Sequence, residues 1–280
     1  MEHEDVSLRN TLNELTGSEW LYFTKSIITT SYPSEYGHRL RKEHGANKPP
    51  QLMSQLIEFF TKPDGYVLDP FAGVGGTLIG ASICRKPRRA FGIEINPHWV
   101  DIYQRILAES NGMLLPQQLM QGDCLQVMDT LQPGSFDFIA TDPPYNIHLE
   151  KTMSTERYAE AYRNRRTDYN MHSEDLGDLA NLPSYDAYLD AMERVFARCF
   201  LLLKPQKYML VIIRNAYQHG EYIFTHVDLA RRARLHGFIP KGEIIWYQSG
   251  SRLRPYGYPS AYIPNIVHQY IIILQKPQIR

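Results

Sequence analysis

Tyr66-Val67-Leu68-Asp69-Pro70-Phe71-Ala72-Gly73-Val74-Gly75-Gly76-Thr77 joins a short apolar run to a glycine-rich turn. The run Tyr66–Asp69, bounded by turn residues, predicts a buried strand, and a helix is expected over 77–84. Glycines at such a strand-to-helix turn let a ligand approach the backbone and leave amides free to donate to it.

Similar apolar runs lie on either side. They predict strands at Arg89–Glu94, Phe136–Thr141, 208–213, 244–247 and 268–274, with a further short one before Gly122. Helical patterns fall at Pro50–Phe60, Pro97–Glu109, 185–203 and 226–236. In Pro97–Glu109 the apolar Val100, Tyr103, Ile106 and Leu107 recur at helical spacing, and Asn96-Pro97 suits an N-cap with a first-turn proline. Alternation of this kind implies an α/β fold, a doubly wound and mainly parallel sheet, over one domain spanning 1–280. Ligands of such sheets bind beyond the carboxyl ends of the strands. Two stretches rich in Gly, Pro and polar residues, 146–183 and 249–264, read as inserted loops.

The glycine turn is selective in what it allows. A dinucleotide fingerprint needs glycine three positions after Gly75, where Leu78 stands, and no Gly-Lys-Ser/Thr follows for a P-loop. Glu94 ends the next strand about twenty residues on, where an acid accepts from both ribose hydroxyls. Asp123 follows the short strand and is placed to accept from an adenine amine; a carboxylate also suits a positive sulfonium. Any one of these is as often a cap or a turn, but three at successive strand ends form a set. The expected cofactor residues are Asp69, Pro70, Phe71, Gly73, Gly75, Thr77, Glu94 and Asp123.

Composition adds exclusions. Apolar residues make up 43% and charged ones 21%, and 30 basic residues balance 30 acidic ones, so a nucleic-acid partner must be met by a local basic face. Cys84, Cys124 and Cys199 are far apart, which argues against disulfides and structural zinc, and no metal is expected. The polar N-terminus and the lack of a long apolar run predict a cytoplasmic protein without membrane contact.

The run Phe138-Ile139-Ala140-Thr141-Asp142-Pro143-Pro144-Tyr145 resembles the catalytic motif of the amino-methyltransferases, which make N6-methyladenine or N4-methylcytosine in DNA. Val67 to Thr77 resembles the cofactor motif of that family, and Lys48-Pro49-Pro50-Gln51-Leu52 its preceding helix motif. Segments 12–20 and 262–265 are similar to the same group. The resemblance implies a Rossmann-like methyltransferase fold, S-adenosyl-L-methionine as cofactor, and a flipped base in double-stranded DNA as substrate. It also implies a catalytic set of Asp142, Pro143, Pro144 and Tyr145.

That set suits the chemistry. An exocyclic amine is a poor nucleophile because its lone pair is delocalised into the ring. Asp142 and the Pro143 carbonyl accept from its hydrogens and aim the nitrogen, the prolines stiffen the loop, and Tyr145 stacks on the extruded base. Methylation at cytosine C5 would need a cysteine following a proline, and none of the three does.

Arginines interleave with tyrosines in both long loops: Arg163, Arg165 and Arg166 beside Tyr158, Tyr162 and Tyr169, and Arg252 and Arg254 beside Tyr256, Tyr258 and Tyr262. Arginine for phosphate and tyrosine for stacking is the composition of a nucleic-acid surface. Clusters at Arg39, Arg41 and Lys42, at Arg85, Lys86, Arg88 and Arg89, and at Arg231, Arg232 and Arg234 read less specifically, the last two mainly as solvated faces. The motif order leaves no large recognition domain downstream, so target choice falls to the inserted loops, to a homodimer, or to a sequence-reading partner subunit. Restriction–modification is the expected setting. Two alternatives stand: an RNA base methyltransferase, since some tRNA guanosine-N2 enzymes share Asp-Pro-Pro-Tyr, and a non-catalytic subunit of a methyltransferase complex.

Overall fold

A computed structural model describes residues 6–45, 47–144, 178–248 and 250–278. Its helices are α1 (Gly17–Phe23), α2 (His38–Arg41), α3 (Pro50–Phe60), α4 (Gly76–Ser82), α5 (Pro97–Glu109), α6 (Cys124–Asp129), α7 (Tyr185–Leu202) and α8 (Thr225–Leu235). Its strands are β1 (Ile27–Ile28), β2 (Tyr66–Asp69), β3 (Arg89–Glu94), β4 (Gln118–Gln121), β5 (Phe136–Thr141), β6 (Leu203–Ile213), β7 (Ala216–Gln218), β8 (Glu221–Ile223), β9 (Ile239–Tyr247) and β10 (His268–Gln275).

Eight strands form one sheet in the order β1-β9-β10-β6-β5-β2-β3-β4, and β7 and β8 form a separate hairpin. Every neighbouring pair in the large sheet is parallel except those made by β10, which runs antiparallel to both β6 and β9. This is the mainly parallel sheet that the strand–helix alternation predicts, and the Rossmann-like fold that the resemblance implies.

Period-two alternation divides the apolar strand residues between two cores. Val67, Ala140, Leu210 and Ile212 join Leu52, Leu56, Ile57, Leu78, Ile102 and Ile106 on the face covered by α3, α4 and α5. Leu68, Ile139, Met209 and Val211 join Met128, Met192, Phe196 and Leu229 on the face covered by α6, α7 and α8. The alternation breaks once in β5: Phe136 lies in the second core and Phe138 in the first, where the register against β6 shifts. Asp137, between them, accepts from the Tyr66 amide at 3.1 Å and pairs with Lys204 at 2.8 Å.

Helix starts follow side-chain chemistry. Asn96 accepts from the His98 amide at 2.9 Å ahead of α5, Ser184 accepts from the Ala187 amide at 3.1 Å ahead of α7, and Thr16 with Glu19 forms a capping box on α1. Gly75 closes the turn into α4 at φ +79°, and a Cβ there would lie 2.3 Å from the Tyr103 ring. Only glycine fits. Among the described residues no helix is long and apolar enough to cross a membrane.

Some boundaries differ from the sequence expectation. α4 begins at Gly76 and ends at Ser82. β6 starts at Leu203, directly after α7, and takes in the polar Lys204 to Lys207, where Gln206 turns to φ +64° and the register against β5 shifts. β9 starts at Ile239, where Ile239, Pro240 and Gly242 pair with β10 around a bulge.

Candidate active site

The predicted residues meet along one edge of the sheet. Asp69 ends β2, Glu94 ends β3, Asp142 follows β5, and Asp123 lies two residues beyond β4.

Asp69 is buried and both its oxygens are engaged within the turn: the Phe71 amide donates to Oδ1 at 3.0 Å and the Thr77 hydroxyl to Oδ2 at 2.5 Å. Burial pushes its carboxyl up to about 6, against the pull of those two donors and with the nearby Asp142 charge adding to the rise. Asp69 and Thr77 therefore shape the glycine turn from beneath. Pro70 is buried beside them, and Phe71 is half-buried against the second core.

Glu94 fastens that turn to the neighbouring strand. Gly73, at φ +52°, donates its amide to Oε2 at 2.8 Å, and the Asn96 amide donates to Oε1 at 2.8 Å. Burial pushes the Glu94 carboxyl up to about 7, and the charges of Asp178 and Asp69 add to the rise. Asp178, itself buried, is an acid of this site that the sequence reading passed over. Nothing in its local pattern marks it; it reaches Glu94 through the fold. Asp123 accepts from the Leu125 amide at 2.7 Å and the Gln126 amide at 3.4 Å, both on Oδ1, so it serves as the N-cap of α6.

Two residues from the segment before α3 complete the enclosure. His44 is half-buried, packs edge-on against Trp99 at 4.7 Å, and lies so close to Gly73 that a Cβ there would be 3.3 Å from its Nε2. Its Nδ1 has no partner among the described residues. Burial and the Lys48 charge hold its pKa down to about 4, so the ring is neutral. His44 ends a short 3-10 turn, Lys42–His44, just ahead of Lys48.

Lys48 extends its ammonium to Oδ2 of Asp142 in an ion pair in which the lysine side chain is 6% and the aspartate 20% exposed. Pro143 is buried and Pro144 half-buried. The Tyr188 hydroxyl of α7 is buried without a hydrogen-bond partner among the described residues, and the neighbouring Tyr185 and then Asp142 add to the effect of burial in raising its pKa. Tyr145, Arg163, Arg165 and Arg166 lie outside the described residues.

The surface clusters separate clearly. Arg85 pairs with Glu19 at 2.8 Å and Glu58 at 3.3 Å, Lys86 with Glu14 at 2.6 Å, and Arg232 with Glu193 at 2.5 Å and Asp190 at 2.9 Å. Arg41 is 2% exposed and turned inward. Arg252 is exposed and Arg254 half-buried; neither has an acidic partner among the described residues. Asn265 clasps this segment, accepting from the Arg254 amide and donating to the Arg254 carbonyl, both at 2.8 Å. Tyr258 and Tyr262 stand beside it, 80% and 87% exposed. No group of three His, Cys, Asp or Glu side chains suited to a metal occurs among the described residues.

The arrangement is a glycine turn with buried carboxylates next to a strand-end Asp-Pro-Pro. The sequence is similar in part to known proteins. The type II methyltransferase M.Cfr9I of Citrobacter freundii is 44% identical over 59 residues, 21% of this chain and 19% of that protein. A tRNA (guanine(10)-N2)-dimethyltransferase of Pyrococcus abyssi is 31% identical over 97 residues, 35% of this chain and 28% of that protein. The alignments thus span about a fifth to a quarter of these curated relatives' length. Among solved structures, TrmN from Thermus thermophilus superposes with a TM-score of 0.53 and 14% identity over 88% of this chain and 54% of that one, a likeness of fold. The family model described as DNA methylase matches residues 8–105 and 136–280, most of the sequence, and by that match the chain belongs to the N6/N4 DNA methylase family.

Proposed function

We propose that the protein is a DNA amino-methyltransferase that moves a methyl group from S-adenosyl-L-methionine to N6 of adenine or N4 of cytosine. The observation that carries this reading is Asp142-Pro143-Pro144 at the carboxyl end of β5, next to the glycine turn at the end of β2.

S-adenosyl-L-methionine is the cofactor of this family, and when bound it supplies an activated methyl group on a sulfonium. The residues present fit it. Glycines at positive φ keep Cβ atoms out of the turn at 73 and 75, and Glu94, Asp178 and Asp123 are acceptors suited to hydroxyls and an amine. The neutral His44 ring, with its unpartnered Nδ1, walls the same turn.

In this reading Asp142 and the Pro143 carbonyl accept from the two hydrogens of the target amine, and Tyr145 stacks on the flipped base. Orientation accounts for much of the acceleration, because a fixed lone pair meets a fixed methyl group. The chain is one methyltransferase unit over 1–280, with 146–183 and 249–264 as target-recognition elements. Arg252 and Arg254, with Arg163, Arg165 and Arg166, neutralise phosphates of double-stranded DNA. A second copy or a sequence-reading subunit completes target choice, in a restriction–modification setting within the cytoplasm.

A second reading, methylation of a base amine in RNA, is favoured by the identity shared with the P. abyssi tRNA enzyme. Expression in a methylation-free host, with modified bases mapped in DNA and RNA, separates the two. New N6-methyladenine or N4-methylcytosine in DNA is expected. Unmodified DNA alongside newly methylated RNA defeats the DNA reading.

A further inference from the structure

Lys48 stands 94 residues before Asp142 in sequence, yet the two form a nearly buried ion pair at the centre of the site. A buried charge pair of this kind persists where the surrounding structure fixes it, because each ion loses hydration on entering. Here the fixing is visible. The Arg41 guanidinium donates to the carbonyls of Glu35 at 3.0 Å, Tyr36 at 2.9 Å and Lys48 at 3.1 Å, and to Oδ1 of Asn47 at 2.7 Å. Asn47 returns a bond to the Arg41 carbonyl at 2.7 Å. On the other side the Lys48 carbonyl rests against Gly76, where a Cβ would be only 3.1 Å away. The lysine backbone is thus held between a buried arginine and the glycine turn, and from there its ammonium reaches the Asp142 carboxylate.

We propose that Lys48 is the positioning residue for Asp142, its ammonium holding the carboxylate by one oxygen in the orientation that receives the target amine. The inference rests on the methyltransferase reading above. Among the described residues, Lys48 from the segment before α3, the buried Asp69 from β2, and Tyr188 from α7 face Asp142; His44 in turn faces Lys48. A protonated carboxyl would present an O–H to the amine where an acceptor is needed, and an ammonium ion-paired to the carboxylate favours its charged, accepting form.

The test compares wild type, Lys48→Met, Lys48→Gln and Lys48→Arg in the full chain, using unmethylated genomic DNA and labelled S-adenosylmethionine. Lys48→Met should lower kcat on the order of a hundredfold from misplacement alone, with KM for DNA little changed. The acid limb of its kcat profile should move up by roughly one pH unit or more. Lys48→Arg should restore the position of that limb. Thermal unfolding checks that each variant is folded, and Lys48→Gln substitutes if the methionine variant is not. A folded Lys48→Met or Lys48→Gln with the wild-type acid limb overturns the proposal, as does a loss of rate that arginine leaves unrescued in pH profile. Should wild type transfer nothing to DNA, the methyltransferase reading fails by itself. The pair is then tested by carbon-13 titration of the Asp142 carboxyl and nitrogen-15 titration of Lys48 Nζ. Protonation of Asp142 should register at Lys48 Nζ in wild type, and absence of that coupling overturns the proposal without any variant.

Discussion

The Gly73 amide donates to Oε2 of Glu94 at 2.8 Å, so the turn after β2 is fastened to the end of β3 before any ligand arrives. Glu94 accepts at its other oxygen from Asn96 and so spans two backbone amides. Glu94→Gln keeps the size but offers one acceptor where two are needed, and it sets an NH2 against an N–H. Binding of S-adenosylmethionine should weaken at least about tenfold, given about 1–3 kcal/mol for an orphaned buried donor. Calorimetric titration reads it, and an unchanged Kd would show that Glu94 does not organise the turn.

The same residue sets a pH dependence of stability. Its folded carboxyl is held up at about 7 against an ordinary value of 4.5, so its contribution is fully present below about 4.5 and lost as pH rises through about 7. Asp69, held up at about 6, acts in the same direction. His44 opposes them: held down at about 4, it costs stability as pH falls below its ordinary 6.5. The informative quantity is therefore the difference between wild type and Glu94→Gln. Melting temperatures between pH 5 and 7.5 should fall less steeply with rising pH in the variant, and parallel curves would contradict the assignment.

Asp142→Asn should retain cofactor binding and lose transfer, since the amide offers an N–H to the target amine on one side. Asp142→Ala carries an extra cost, because it strands the Lys48 ammonium in a nearly buried position. Stranding a buried charge costs about 3–5 kcal/mol, and the partial exposure of Asp142 places this case at the lower end. Chemical denaturation of both variants separates the effects. Equal stability of the two would mean that Lys48 finds water or another acceptor.

Gly75→Ala should be among the most damaging single-methyl additions. The new Cβ meets the Tyr103 ring at 2.3 Å, at a φ of +79°. Strain alone costs roughly 1–3 kcal/mol, and the overlap adds to it. A thermal shift within one degree of wild type would show that the turn relaxes.

Arg252→Ala and Arg254→Ala should each weaken DNA binding and reduce the slope of log affinity against log salt by about one. Arg85→Ala and Lys86→Ala serve as controls, since their cations are already matched by Glu19, Glu58 and Glu14. Fluorescence anisotropy across salt concentrations reads both. Identical slopes in all four variants would remove segment 249–264 from the DNA surface.

What could be read from the sequence divides along physical lines. β2, β3, β5, α3 and α5 have the expected bounds, because each is a periodic apolar pattern closed by a cap, a proline or a glycine. The strand-end acids Asp69, Glu94 and Asp142 were legible for the same reason. Short α6 was not, because Asp123 was read as a ligand acceptor and its capping bonds are local detail. Lys48, His44, Arg41 and Asp178 act through contacts that no local pattern records. Charge runs misled in part: Arg41 and Arg88, which read as surface cations, are buried on backbone and hydroxyl oxygens.

The single reversed strand has a consequence for delivery. Because β10 runs against β9, His268 sits opposite Tyr247, and the chain from 248 to 267 leaves and returns at one rim of the sheet. That rim is where β5 ends in Thr141 and hands on to Asp142. Were β10 parallel, the segment would have to travel to the opposite rim, about 25 Å away for a strand of this length at roughly 3.3 Å per residue. Reversal keeps both ends of the segment that carries Arg252, Arg254 and their tyrosines at the rim of the sheet that bears Asp142.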